Sequence, residues 1–94
     1  MRLFYTDRAI DDVELAFSWY EEQRTGLGYE FIDYVEQSVI NICASPEIYQ
    51  LIHANFRSCT VRRFPFSIIY TIEDEGIIVH SVFNNRQDPG KRPK

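Results

Sequence analysis

Apolar positions recur at helical spacing twice along this chain, and then the period changes to two. Ile10, Val13, Ala16, Phe17 and Tyr20 make one stripe, widened by Leu15 and Trp19. Thr6 or Asp7 is placed to cap that helix, with Asp11, Asp12 and Glu14 near its positive end. Gln23 to Gly28 (QRTGLG) ends it and turns the chain. Phe31, Ile32, Val35, Val39, Ile42 and Cys43 form a second stripe, opposed by Asp33, Glu36, Gln37 and Asn41, and Ser45-Pro46 stops it. Two amphipathic helices joined by a short Gly-containing turn pack as an antiparallel hairpin. Leu3-Phe4-Tyr5 ahead of them reads as a short strand.

Residues 46–56 read as a turn or a loose half-helix. From Arg57 the alternation predicts strands over 57–63, 66–73 and 77–83. Asp74-Glu75-Gly76 reads as a three-residue hairpin loop, with Gly76 free to take positive φ. Pairing Glu73 with Ile77 sets Ile72 opposite Ile78, Tyr70 opposite His80, Ile68 opposite Val82 and Phe66 opposite Asn84. That face is apolar and belongs under the helices. The other face carries Ser67, Ile69, Thr71, Val79, Ser81 and Phe83. Ile69, Val79 and Phe83 there are either a patch for a partner or scattered surface hydrophobes. The fold class is therefore α+β: a short N-terminal strand and a two-helix hairpin on an antiparallel sheet.

The 94 residues are enough for one domain, placed at 1–87, followed by a basic flexible tail, 88–94 (DPGKRPK), in which Pro89, Gly90 and Pro93 oppose regular structure. No apolar run approaches membrane-spanning length and no signal-peptide core opens the chain, which suggests a cytoplasmic protein. Cys43 and Cys59 form no C-x-x-C pair, and His53 and His80 show no metal-ligand spacing to them, so no metal or cofactor is expected.

The net charge of −4 hides an asymmetry. Three arginines face ten acids before residue 57, whereas seven basic residues face four acids from there on. The basic half suits an acidic partner. There is no nucleophile elbow, no phosphate-cradling loop and no paired-carboxylate site. What remains is Arg57, Arg62, Arg63 and Arg86. Arg62 and Arg63 point to opposite sides if their strand continues through them. The hairpin register brings Asn84 opposite Phe66, and so Arg86 near the Arg63-Phe64-Pro65 turn. Such arginines bind phosphate or carboxylate, or else pair internally, with Asp88 the obvious local partner.

The chain resembles the RelE/ParE superfamily of type II toxin–antitoxin toxins. The resemblance is carried by Trp19-Tyr20-Glu21-Glu22-Gln23, Gly28-Tyr29-Glu30-Phe31, Val61 to Tyr70 (VRRFPFSIIY) and Val82 to Pro89 (VFNNRQDP). It spans nearly the whole chain and lies closest to the ParE-like branch, the plasmid-stabilisation proteins. It implies a cytoplasmic toxin held by a cognate, ParD-like antitoxin, in a heterotetramer or larger complex. ParE-like relatives poison DNA gyrase, whereas RelE-like relatives cut mRNA on the ribosome. Asn84 stands where many relatives have His, no Tyr or His follows residue 80, and no Lys precedes Lys91. An amide is a poor proton acceptor near neutral pH, and an acidic protein suits ribosomal RNA badly. The resemblance therefore implies a non-enzymatic gyrase inhibitor without catalytic residues and without sequence-specific nucleic-acid binding. Arg57, Arg62, Arg63, Asn84 and Arg86 would grip the target, and Ile69, Val79 and Phe83 would meet the antitoxin. The alternatives are an mRNA endonuclease and a weakened toxin that only binds its antitoxin.

Overall fold

The computed structural model of the chain describes residues 2–86. Its elements are β1 (Leu3–Tyr5), α1 (Asp7–Gln23), α2 (Leu27–Ala44), β2 (Gln50–His53), β3 (Phe56–Thr60), β4 (Phe66–Glu73) and β5 (Gly76–Asn84). Among these residues the strands form a five-stranded sheet in the order β1-β5-β4-β3-β2. Consecutive strands β2 to β5 pair antiparallel, and β1 joins the β5 edge in parallel. The expected α+β fold is present, with a mixed rather than purely antiparallel sheet. The tail from Asp88, and with it the expected Asp88 pairing, lies outside the described residues.

The helix pair starts where the sequence places it. Thr6 caps α1, its hydroxyl accepting from the Ala9 N–H at 3.1 Å. Glu21 then closes the α1–α2 turn from below. Its two carboxylate oxygens accept from the N–H groups of Gly26 (3.1 Å) and Gly28 (2.8 Å), at the start of α2 where no helical carbonyl is available. Gly28 lies against Phe17, so a Cβ there would come within 2.7 Å of the Phe17 carbonyl oxygen.

Phe31, Val35, Val39 and Ile42 of α2 are buried against Cys59, Phe66, Ile68, Tyr70, Ile77, Val79 and Val82 of the sheet and Val61 just past β3. α1 contributes less: Ala9 and Ala16 are buried, while Leu15 and Trp19 are exposed and do not widen its core stripe.

Two strand expectations change. Residues 50–53 form β2, an edge strand rather than a turn or half-helix. β3 ends at Thr60, so Arg62 and Arg63 sit in the β3–β4 turn and not on a strand with opposed side chains.

The β4–β5 register follows the expected pairing only from Phe66–Asn84 to Ile69–Ser81. A bulge then leaves His80 as the extra residue, and Tyr70 pairs with Val79 rather than with His80. The reason lies in the loop, where Glu73 pairs with Gly76 and only two residues turn. Gly76 does take positive φ, +145°, and its missing side chain admits the Arg2 carbonyl, which accepts from the Ile77 N–H. The shift moves Val79 from the outer face into the helix-covered core and His80 out of it.

Candidate functional site

The β3–β4 turn is held from both sides. The Val61 N–H donates to the Phe66 carbonyl, and the Asn85 N–H donates to the Pro65 carbonyl at 2.7 Å, tying the turn to the end of β5. Phe64 and Phe66 point into an aromatic cluster. Phe64 stands 5.0 Å from Tyr20, 5.3 Å from Phe31 and 5.9 Å from Tyr34, and Phe66 stands 5.0 Å from Phe31. Mostly edge-to-face contacts at these distances fix ring orientation as well as area. The turn is therefore a rigid mount, and the arginines are what it displays.

Arg63 occupies the left-handed region at φ +68°, a conformation costly to any residue with a Cβ. It carries the guanidinium over the Tyr34 ring, 5.7 Å from its centroid. Arg62 lines a cleft against α2 with Asp33, Tyr34, Gln37 and Asn41. On the other side of Pro65, Arg86 follows β5. Asn84 shapes that exit, its side-chain oxygen accepting from the Arg86 N–H at 2.9 Å.

Arg86 lines a groove of about 330 Å³ between α1 and β5, with Arg8, Leu15, Trp19, Tyr20 and Pro65 among its walls. Burial raises the Tyr20 phenol above its ordinary pKa, and the nearby Arg86 charge partly offsets this. The sequence reading missed this groove. Trp19, 57% exposed, and Leu15 sit one turn apart on α1, and their offset from the Val13–Ala16–Tyr20 line was the available signal.

Four of the five candidate target contacts thus gather at one end of the sheet: Arg62, Arg63, Asn84 and Arg86. Arg57 does not join them. It pairs with Tyr70 in mid-strand, and its guanidinium donates to the carbonyls of Glu47 (3.0 Å) and Tyr49 (2.7 Å), pinning the α2–β2 connection. Nor do Ile69, Val79 and Phe83 form an exposed patch. Val79 is in the core for the bulge reason given above. Ile69 and Phe83 alternate with core residues and so face the other way, yet they are 0% and 3% exposed.

Tyr70 and His80, two side chains able to move protons, are committed elsewhere. The Tyr70 hydroxyl donates to the Pro46 carbonyl at 2.6 Å, and burial pushes its pKa up to about 12. His80 bonds to the Thr71 hydroxyl at 2.8 Å, stacks edge-on to Phe56, and is held below its ordinary pKa by burial. Among the described residues, no three His, Cys, Asp or Glu side chains are grouped to hold a metal, and no helix is long and apolar enough to cross a membrane.

Comparison with known proteins agrees with this architecture. The chain superposes on the chromosomal ParDE TA system from P. aeruginosa with TM-score 0.79 at 17% identity, covering 89% of this chain and 95% of that one. The isolated E. coli RelE toxin gives 0.63 at 18% identity, over 94% and 87% of the two chains. The intact E. coli RelBE toxin–antitoxin complex gives 0.62 at 19% identity, over 90% and 96%. No curated protein sequence matches significantly. The model of the ParE toxin of the type II toxin–antitoxin system parDE matches residues 3–89, and the chain therefore belongs to the ParE toxin family.

Proposed function

We propose that the chain is the toxin of a type II pair, that it acts in the cytoplasm by binding DNA gyrase without cleaving any bond, and that a cognate antitoxin neutralises it. The observation that carries this reading is the display of Arg63 and Arg86 on either side of Pro65, while Asp12, the carboxylate in the Arg86 groove, spends one oxygen on the Ser81 hydroxyl and the Val82 N–H. Asn84 spends its side-chain oxygen on the backbone of Arg86. His80 lies four residues up β5, roughly 13 Å away at strand rise. Tyr20, beside Arg86, is a phenol whose pKa burial raises above the ordinary value of 10.0, so it is a poorer proton acceptor still.

Metal-free RNA cleavage needs a group to take the 2′-hydroxyl proton, and this arrangement supports a grip instead. The Arg63 guanidinium held over Tyr34, and Arg86 at a groove walled in part by Leu15, Trp19 and Tyr20, suit an acidic protein surface with an aliphatic or aromatic anchor. The test is gyrase supercoiling with purified toxin. Inhibition by the intact chain, lost in Arg63→Ala with Arg86→Ala, is expected. Unimpaired supercoiling, together with mRNA cleavage on ribosomes, would replace this reading with the nuclease one.

A further inference from the structure

β1 stops before β5 does. It pairs with β5 only from Leu3–Ile77 to Tyr5–Val79, while β5 runs on to Asn84. Hydrogen bonds fix which groups are left bare. The Asn85 N–H donates to the Pro65 carbonyl, on the β4 side, whereas the Val82 N–H donates to Asp12, on the other side. Backbone groups alternate sides along a strand, so the Val82 carbonyl and the N–H and carbonyl of Asn84 also point away from β4. Thr6 and Asp12 reach the His80 carbonyl and the Val82 N–H and go no further. Among the described residues no strand lies beside the rest of β5.

The α1–β5 groove opens along this bare length, where Val82 and Asn84 line it together with Leu15, Trp19, Pro65 and Arg86. Leu15 is 73% exposed and Trp19 is also exposed. Four residues apart on a helix, they are neighbours on its surface. Two large apolar side chains beside unpaired strand backbone mark a contact surface rather than scattered hydrophobes. The charge of the groove is set by Arg86. Asp12 lies 3.9 Å from the Arg8 Nε and spends one oxygen on Ser81 and Val82. Arg86 has no carboxylate within ion-pair distance among the described residues, so the groove is positive where β5 leaves it.

We infer that this groove receives an extended, acidic segment of the protein target. The segment continues the sheet beside β5 where β1 stops, seats an apolar side chain between Leu15 and Trp19, and sets an Asp or Glu two residues away against Arg86. Residues two apart on a strand share a face, so one face of the segment supplies both the anchor and the acid. Strand addition satisfies the free groups of Val82 and Asn84, and the side-chain contacts give selectivity. The groove is continuous with the arginine-bearing end of the sheet through Pro65 and Arg86, which makes the target its occupant. The inference rests on the gyrase reading for the source of the segment.

The test uses the full-length toxin, whose one tryptophan is Trp19, so its fluorescence reports on the groove. Two synthetic peptides serve as probes, Asp-Thr-Leu-Thr-Asp and Lys-Thr-Leu-Thr-Lys, symmetric so that strand direction does not matter. The acidic peptide should shift the Trp19 emission and bind at least about tenfold tighter than the basic one, and Arg86→Glu should reverse the preference. Amide hydrogen exchange by NMR should show the Asn84 N–H protected by the acidic peptide. Purified gyrase should protect the same amide. Leu15→Asp, with the fold shown intact by urea unfolding, should weaken supercoiling inhibition at least about tenfold.

Equal binding of both peptides, or unchanged exchange at Asn84, overturns the inference. So does self-association of the toxin that protects this amide, or its protection by the antitoxin and not by gyrase. A Leu15→Asp toxin that inhibits gyrase like the parent, while Arg63→Ala with Arg86→Ala does not, also overturns it and leaves the gyrase reading standing. A parent toxin that neither binds nor inhibits gyrase, yet takes the acidic peptide at Asn84, removes gyrase as the source of the segment and overturns the gyrase reading alone.

Discussion

Asp12 on α1 accepts two hydrogen bonds from β5 through one carboxylate oxygen, from the Ser81 hydroxyl at 2.9 Å and from the Val82 N–H at 3.0 Å. The position matters because β1 pairs with β5 only as far as Val79. Beyond it, Thr6 and Asp12 satisfy the edge in place of a strand: the Thr6 hydroxyl donates to the His80 carbonyl at 3.0 Å, and Asp12 takes the next outward N–H. Removing the carboxylate leaves two part-buried donors without their acceptor. Asp12→Ala should cost about 2 kcal/mol in urea unfolding. Asp12→Asn, which keeps one acceptor oxygen, should cost clearly less.

Glu21 plays a similar part in closing the helix hairpin. Glu21→Ala frees the N–H groups of Gly26 and Gly28 to water at the exposed turn, so it should cost about 1 kcal/mol, the value of a lost N-terminal cap. Gly28→Ala should cost more, about 2–3 kcal/mol, because the Cβ meets the Phe17 backbone and a flexible side chain cannot yield there. Thermal or urea unfolding of the two variants checks the ranking.

Much of this fold was legible from period alone. The two helical stripes, a cap at Thr6 or Asp7, the positive φ of Gly76 and the Phe66–Asn84 pairing follow from spacing and turn chemistry, whereas the three-residue Asp74–Gly76 loop proved to be a two-residue turn. The bulge was not legible. Ile77, Ile78 and Val79 are consecutive and all apolar, so alternation cannot say which of them faces the helices. β2 escaped because four edge residues give too short a pattern. At the site, the arginines were visible as a set. Arg57 separated from them only when its guanidinium proved to hold two backbone carbonyls, a role that leaves no mark in a sequence. The exposure of Trp19 and Leu15 was hidden for a related reason: an aromatic one turn from a core line looks like more core.

The bulge also sets a pH dependence. Burial holds the folded His80 pKa below the ordinary value of 6.5, against a smaller opposing pull from Glu73. The unfolded chain therefore takes up the proton first. The His80 contribution is fully present above about pH 6.5 and is lost as pH falls through the lowered folded value. Stability measured from pH 7.5 downward should decline across that window. His80→Gln should flatten the decline, since glutamine does not titrate. An unchanged slope in that variant would assign the acid sensitivity to other groups.

Arg63 permits a sharper separation of fold from function. Its φ of +68° suits glycine, and a side chain there costs about 1–2 kcal/mol in the left-handed region. Arg63→Gly relieves that cost. It loses the contact over Tyr34, about 0.5–1 kcal/mol at an exposed site, and gains unfolded-state freedom of about 0.4–1 kcal/mol. The three effects nearly cancel, so the variant should unfold within about 1 kcal/mol of the parent. Arg63→Ala keeps the strained φ and loses the ring contact, so it should be the less stable of the two. Stability and activity then run in different orders, because both variants lack the guanidinium and both should lose gyrase inhibition. Supercoiling assays beside urea unfolding of the same samples check this. An Arg63→Gly protein that still inhibits at the parent concentration would show that the turn itself, and not its charge, meets the target.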